Sequence, residues 1–436
     1  PARGRGRVEP LAGLQWDMAQ IGATPAGAHA TATGKGVTIG IIDTGVDASH
    51  PDVAPHFDAG LSRNFTMDIP AIDGPCEVPT CIDPADVDQG GHGTHVAGIA
   101  AGARNGIGTT GVAPDATIVN VRAGQDSGFF FLYETVAALT YAGDAGLDVV
   151  NMSFYTDPWM YNCDSADDYV SGPVTPEELA EQAFTRQTIG AALDYAHDHG
   201  VTLVGSAGNA ATDLAAPTRA DATSPDYPLG TEVERVVTND CLDLPAEGEH
   251  VITVSSTGPG GTKADYSNYG DGVIEVAAPG GYARDFFGTP QFNLPANRVL
   301  SSYPLAVAIE EGLVDAAGNP LSAFAHKSCD RRGDTCGVYV YLQGTSMAGP
   351  HVAGVAALVI QAHGDGNRHR GFSLDPDTVL SIIETTATDT ACPPGGVDDY
   401  TDEGRPPSWN ATCTGTTADN GFFGEGIVNA AAAVAG

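Results

Sequence analysis

Four polar residues stand where the sequence could do chemistry. Asp43 closes the apolar run in "IIDTGVDASHPD", His92 opens "HGTHVAG", Asn209 ends "LVGSAGN", and Ser346 sits in "GTSMAGPHVAG". A serine hydroxyl is a poor nucleophile until a base takes its proton, a histidine base needs an acid to hold its tautomer, and a developing oxyanion needs donors. Aspartate, histidine, serine and asparagine fill those roles. Each also has a plainer reading when taken alone. Ser346 precedes a small-residue apolar run through Ile360 that suits a buried helix, where a serine is a common cap. A hydroxyl there also feels the unpaired N–H groups and positive end of that helix. Asp43 and Asn209 read singly as turn residues, and His92 as a surface or core histidine.

These residues need elements to carry them. "GVTIGIID" (36 to 43), "ATIVNVR" (116 to 122), "LDVVNMS" (147 to 153), "GVTLVGSAGN" (200 to 209), "HVITVSS" (250 to 256) and "GVIEVAAPG" (272 to 280) read as short buried strands. Helical patterns lie between several of them. In "TPEELAEQAFTRQTIGAALDYAHDHG", Thr175 caps, Pro176 takes the first turn, Glu178 completes a capping box and Gly200 ends the helix. Such alternation predicts an α/β fold, a three-layer sandwich with a mainly parallel central sheet flanked by helices, and a site outside the strands' carboxyl ends. Asp43 and Asn209 close two such strands.

The chain has 436 residues, 42% of them hydrophobic, enough to bury a large core. Its 19 Lys and Arg stand against 55 Asp and Glu, a formal charge of -36 that argues against nucleic acid or an anionic membrane as partner. No apolar run is long enough to span a bilayer, and the start "PARGRGRVEP" has no apolar core of a signal peptide. Eight cysteines without a C-x-x-C suit disulfides rather than zinc. The favoured arrangement is three local loops (Cys76–Cys81, Cys329–Cys336, Cys392–Cys413) and one long Cys163–Cys241 bridge, which implies an oxidising, extracellular compartment.

The order Asp, His, Ser, with "DTGVD", "HGTHVAG", "SAGN" and "GTSMAGPHVAG" around the four residues, resembles the subtilisin-like serine proteases. "GVAPDATIVNVR" and "VVNMS" fit the same family between the motifs. The resemblance implies that Ser346 attacks the scissile carbonyl, His92 acts as base and then acid, Asp43 orients the imidazole, and Asn209 donates to the oxyanion beside the Ser346 N–H. His95 and His351 invite a metal reading but lack a third ligand at suitable spacing, and read as structural. Substrate would add as a strand between Asp126, Ser127 and Gly128 on one side and Ser153 onward on the other. The pocket for the residue before the cut would lie between Ser153, Phe154, Tyr155 and Ser206, Ala207, Gly208. Phe154 and Tyr155 depart from the family's small residues, and Asp157 or Asp164 in the insertion after them would favour basic side chains unless they are ordinary solvated charges.

"GARNGIGTTGVAP" (102 to 114) resembles the family's calcium loop. The implied ligands are the Asp52 carboxylate, the Asn105 side chain and the Ala103, Ile107 and Thr109 carbonyls, with Gln15 and Asp17 both open for an N-terminal position. The alternative is a Gly-rich hairpin that binds nothing.

The resulting organisation is an N-terminal segment, 1 to 35, packing on a single catalytic domain, 36 to 436, with insertions near 59–89, 155–175, 281–341 and 391–421. "EEGLVDAAGNPL" predicts a short helix ended by Gly318, "DPDTVLSIIETTA" a capped helix, and the tail a final turn and helix. The "RGD" at 332 to 334 reads as a chance tripeptide. The resemblance also implies a secreted monomer acting on protein or peptide substrates, made with its own prosegment, so that Pro1 lies near a processing point with Arg3, Arg5 and Arg7. The competing class is a silent scaffold of the same fold used for binding.

Overall fold

The computed structural model describes residues 9–224, 233–367 and 371–435, so Arg3, Arg5 and Arg7 lie outside the described residues. The six apolar runs become β1 (Thr38–Ile42), β3 (Thr117–Arg122), β4 (Val149–Met152), β5 (Thr202–Ser206), β6 (Val251–Thr257) and β7 (Val276–Pro279). A two-residue edge strand, β2 (Arg63–Asn64), joins them. They pair in parallel in the order β7-β6-β5-β4-β1-β3-β2, with Ile39 opposite both Val149 and Ile118. β1 therefore lies where the winding reverses, and the crevice at its carboxyl end is open to a ligand.

Side chains alternate between two faces. Ile39, Ile41, Val149 and Val204 enter one apolar cluster, and Ile42, Val119, Val121 and Val150 the other. The first cluster is covered by α1 (His92–Ala101), α4 (Thr345–His363) and α5 (Pro376–Thr386), the second by α2 (Leu132–Ala145) and α3 (Pro176–Asp198). This is the expected three-layer sandwich. α4 is buried from Met347 to Ile360, as its run of mostly small apolar residues, interrupted only by His351, demands. The predicted capping box opens α3, with the Thr175 hydroxyl accepting Glu178 N–H at 3.1 Å and the Glu178 carboxylate accepting Thr175 N–H at 2.8 Å. α5 is capped by Asp375, and the tail ends in the short helix Ala430–Ala433.

The N-terminal segment is built into the first cluster through Met18, Ile21, Ala23 and Ala28. Below it, Asp17 meets His351 Nε2 at 3.1 Å. All four expected disulfides are present.

The insertions hold structure that apolar runs did not predict. Residues 281–341 contain most of a three-stranded antiparallel sheet, Val299–Tyr303, Ala325–Cys329 and Cys336–Leu342. The expected helix at "EEGLVDAAGNPL" lies earlier, at Leu305–Glu310; the segment after it turns through Gly312 (φ 70°) and Gly318 (φ 75°) instead. The Arg332–Asp334 tripeptide is the exposed turn between the last two strands, closed by Cys329–Cys336.

Candidate active site

The carboxyl ends of β1 and β5 deliver Asp43 and Asn209 to one rim of the sheet, where the first turns of α1 and α4 bring His92 and Ser346. His92, Asn209 and Ser346 line a single cavity of about 490 Å³. Asp43 lies behind them, fully buried, with Oδ1 2.8 Å from His92 Nδ1. The same oxygen accepts the Thr44 N–H at 2.8 Å. A carboxylate at Nδ1 holds the imidazole in the tautomer whose Nε2 is basic. Burial opposes protonation of His92, but the Asp43 charge and hydrogen bond, with the Asp88 charge, outweigh it and raise its pKa above 6.5.

Asp88 organises the loop that carries His92. Its Oδ1 accepts Thr44 Oγ1 (3.0 Å), Gly90 N–H (3.1 Å) and Gly91 N–H (2.8 Å), and its Oδ2 accepts Thr94 N–H (2.9 Å) and Oγ1 (2.6 Å). One buried carboxylate thus joins the strand that ends in Asp43 to the helix that begins with His92. Gly91 must be glycine: its φ is 78°, and a Cβ there would lie 2.6 Å from the Tyr303 ring.

Ser346 is the second residue of α4, and Pro350 four positions later has no N–H to offer its carbonyl. Ser153 Oγ fills that place, donating to Ser346 O at 3.1 Å while accepting Asn151 Nδ2 at 2.8 Å. In turn Ser346 Oγ donates to the Ser153 carbonyl at 3.3 Å. The proline that breaks the helix pattern therefore ties the serine to the neighbouring wall. Asn209 is held by its oxygen, which accepts Thr345 N–H (2.9 Å) and Thr345 Oγ1 (3.0 Å), so its amide N–H₂ is the end left for the cavity.

The sequence model of the Subtilase family matches residues 34–422. The chain belongs to the subtilase family. The subtilase is 28% identical to fervidolysin of Fervidobacterium pennivorans over 87% of its own length but only 41% of fervidolysin's. It is 28% identical to thermitase of Thermoactinomyces vulgaris over 75% of its length and 76% of thermitase's. Among solved structures, a protease of Pseudoalteromonas arctica superposes with a TM-score of 0.58 at 26% identity, covering 99% of each chain.

The other expected site residues of the subtilase divide. Ser153, Phe154, Tyr155, Ser206 and Gly208 line the cavity, but Ala207 is fully buried and faces an apolar cluster with Tyr161 and Leu214. Ala207 follows the last residue of β5, just before the chain turns at Gly208 (φ 94°). Asp126, Ser127 and Gly128 reach the cavity, yet not as an extended edge. Gly128, at φ 89°, closes a turn in which Gly128 N–H bonds Gln125 O and Gln125 N–H bonds Phe129 O, both at 2.9 Å. Asp73 of the insertion fixes it by accepting Ser127 N–H and Oγ. Asp164 is turned outward to Arg186 at 3.4 Å, whereas Asp157 lines the cavity. Phe130 and Phe154, both in its lining, stack with ring centres 4.0 Å apart.

The 103–109 loop wraps Asp52 and forms no hairpin ladder. Asp52 Oδ2 accepts Thr109 N–H at 3.2 Å, and Asn105 presents its nitrogen, not its oxygen, to Asp52 Oδ1 at 2.9 Å. Of the two residues open for the N-terminal position, Gln15 bonds Thr110 and Asp17 bonds His351. A carboxylate reaches the loop from Glu9, which accepts Gly106 N–H at 2.8 Å, a position with no sequence signal except its acidity. Burial lifts the Asp52 carboxyl to about 7. His95 and His351 are buried and bonded to Val340 O and Asp17 respectively, as structural residues. A second acidic group was not anticipated. Ligand atoms of Asp68, Glu77, Asp83 and Asp126 lie within 4.8 Å of one another, and Asp68 is buried with neither oxygen partnered among the described residues.

Proposed function

We propose that the chain is a secreted serine endopeptidase acting through Asp43, His92 and Ser346, with Asn209 and the Ser346 N–H as the oxyanion donors. The observation that carries this is the His92 Nδ1 to Asp43 Oδ1 bond of 2.8 Å behind a cavity lined by His92, Ser346 and Asn209. Ser346 Oγ adds to the scissile carbonyl carbon as its proton passes to His92 Nε2. The imidazolium, stabilised by Asp43, returns that proton to the departing amine, leaving an acyl group on Ser346. Water, deprotonated by the same imidazole, then releases the acid.

Several features support the wider reading. The disulfides and the charge of -36 suit an extracellular protein. Residues 36–436 are read as one catalytic domain carrying the insertions, with 1–35 packed on it, because one apolar cluster runs from Met18 to Val434. Protein substrates, an inhibitory prosegment and a monomeric state complete this reading, and family membership supports the first two. Calcium fits the loop because its donors are all oxygen: Asp52, Glu9, Asn105 once its amide turns over, and the Ala103, Ile107 and Thr109 carbonyls. The Asp68 cluster is a second candidate for the same ion.

The test is a digest of denatured protein with the wild type and with Ser346→Ala, calcium present, followed by sequencing of every new terminus. Cuts confined to the wild type are expected. Equal digests would reject the peptidase reading in favour of a binding scaffold.

A further inference from the structure

The cavity beside Ser346 has an acidic lining. Ser153–Tyr155, Ser206 and Gly208 line it together with three carboxylates: Asp126, which pairs with Arg122 at 2.6 Å, Asp157 and Asp243. Asp157 is engaged: Oδ2 accepts Phe130 N–H at 2.6 Å and Oδ1 accepts the Ser224 hydroxyl. Asp243 is 1% exposed, and its Oδ1 has no hydrogen-bond partner among the described residues. Its Oδ2 lies against Gly208, where an added Cβ would come within 3.4 Å.

The cations nearby are committed elsewhere. Arg219 pairs with Glu247 at 2.5 and 2.9 Å, and Arg235 pairs with Asp221 at 2.9 and 2.7 Å. Neither lines this cavity, whose only basic side chain among the described residues is His92. A buried carboxylate without a partner is costly, and either a proton or an incoming cation relieves it. Burial, then the Glu247 charge, push the Asp243 carboxyl well above the usual range, against the opposing pull of Arg219. The position is also braced. Asp243 lies on the two-residue strand Leu242–Asp243, paired with Tyr161–Asn162, and Cys163–Cys241 bridges the residues flanking that pair.

We propose that Asp243 makes this enzyme selective for lysine or arginine at the residue whose carbonyl is cut. The proposal rests on the peptidase reading above, in which the side chain on the acyl side of the bond enters the cavity adjoining Ser346. A lysine or arginine stem suits the apolar wall of Phe154 and Met160, and its cationic head is the group that reaches and neutralises Asp243. A short or acidic side chain leaves the carboxylate unpaired, and an apolar one leaves it protonated.

The experiment compares fluorogenic peptide amides identical except for Lys, Arg, Phe, Leu or Glu before the cut. The wild type is expected to show kcat/KM about 100-fold higher for Lys and Arg than for Phe and Leu, and Asp243→Asn to lower that ratio at least 10-fold. Because Asp243→Asn could misfold, arginine- and phenylalanine-terminated peptide aldehydes are also titrated against the wild type, and the arginine aldehyde is expected to bind more tightly. Apolar preference in the wild type, tighter binding of the phenylalanine aldehyde, or an unchanged ratio in a folded Asp243→Asn would overturn the proposal. A fluorophosphonate probe separates the two levels. Failure to label Ser346 in the wild type would sink the peptidase reading itself, whereas labelling without basic preference sinks only the role of Asp243.

Discussion

The oxyanion donor is held by a neighbour, and that arrangement makes a quantitative prediction. Asn209→Ala removes a donor that meets the carbonyl oxygen fully only as it becomes an anion, so kcat should fall about 100- to 1,000-fold with little change in KM. That range is the one known for the corresponding asparagine of subtilisin, so the new content lies in Thr345. Its hydroxyl bonds Asn209 Oδ1 at 3.0 Å and accepts Gly208 N–H at 3.1 Å, while its backbone N–H independently holds Asn209 at 2.9 Å. Thr345→Val therefore removes one of two anchors on the amide. One neutral hydrogen bond contributes about 0.5–1.5 kcal/mol, which is about 2- to 13-fold in rate if the full loss reaches the transition state. Because Thr345 acts through Asn209, the double variant should be no slower than Asn209→Ala alone. Steady-state kinetics on a chromogenic peptide, with active sites counted by fluorophosphonate titration, measure all three. A double variant slowed by the product of the single effects would refute the coupling. An unchanged kcat in Asn209→Ala would refute the oxyanion assignment.

Three further outcomes are expected. The acid limb of kcat/KM should lie above pH 6.5, because His92 works as a base only when neutral and its pKa is raised; Asp88→Asn removes one of the raising charges, so the limb should move to lower pH. Calcium at about 100 times its dissociation constant should stabilise Ser346→Ala by about 2.7 kcal/mol, about 3 °C in a chain of this length by calorimetry, and Asp52→Asn should lose most of that shift. Removing Cys163–Cys241 frees a 78-residue separation and should cost about 4.5 kcal/mol, against about 2 kcal/mol for the 5-residue Cys76–Cys81 loop, read from denaturant midpoints in the Ser346→Ala background.

The chain's own order of residues determined much of this. Six strands, the α3 capping box and the α5 cap were legible because each depends on neighbours within a few positions: an apolar run with no polar interruption, or a threonine three residues before a glutamate. The four reactive residues were legible as types at strand and helix ends, and the disulfides as spacings. What waited for the tertiary structure was every relation across long separations. Asp88 joining Thr44 to Thr94, Ser153 completing the carbonyl that Pro350 leaves open, and Glu9 reaching the 106 amide have no local signature. Sequence proximity also misled. Asp164 and Ala207 stand beside site residues but point away, and 126–128 turns where an extended edge was expected, since side-chain direction there is set by turns and packing. Asp243 is the sharpest case. Nothing around it in sequence distinguishes it from the many other acids of the chain; only packing beside Gly208, with Arg219 and Arg235 already paired, makes an ordinary aspartate a buried carboxyl whose Oδ1 has no hydrogen-bond partner among the described residues. Local pattern specifies which element a residue joins, whereas the environment that gives a side chain its chemistry is assembled by packing from distant parts of the chain.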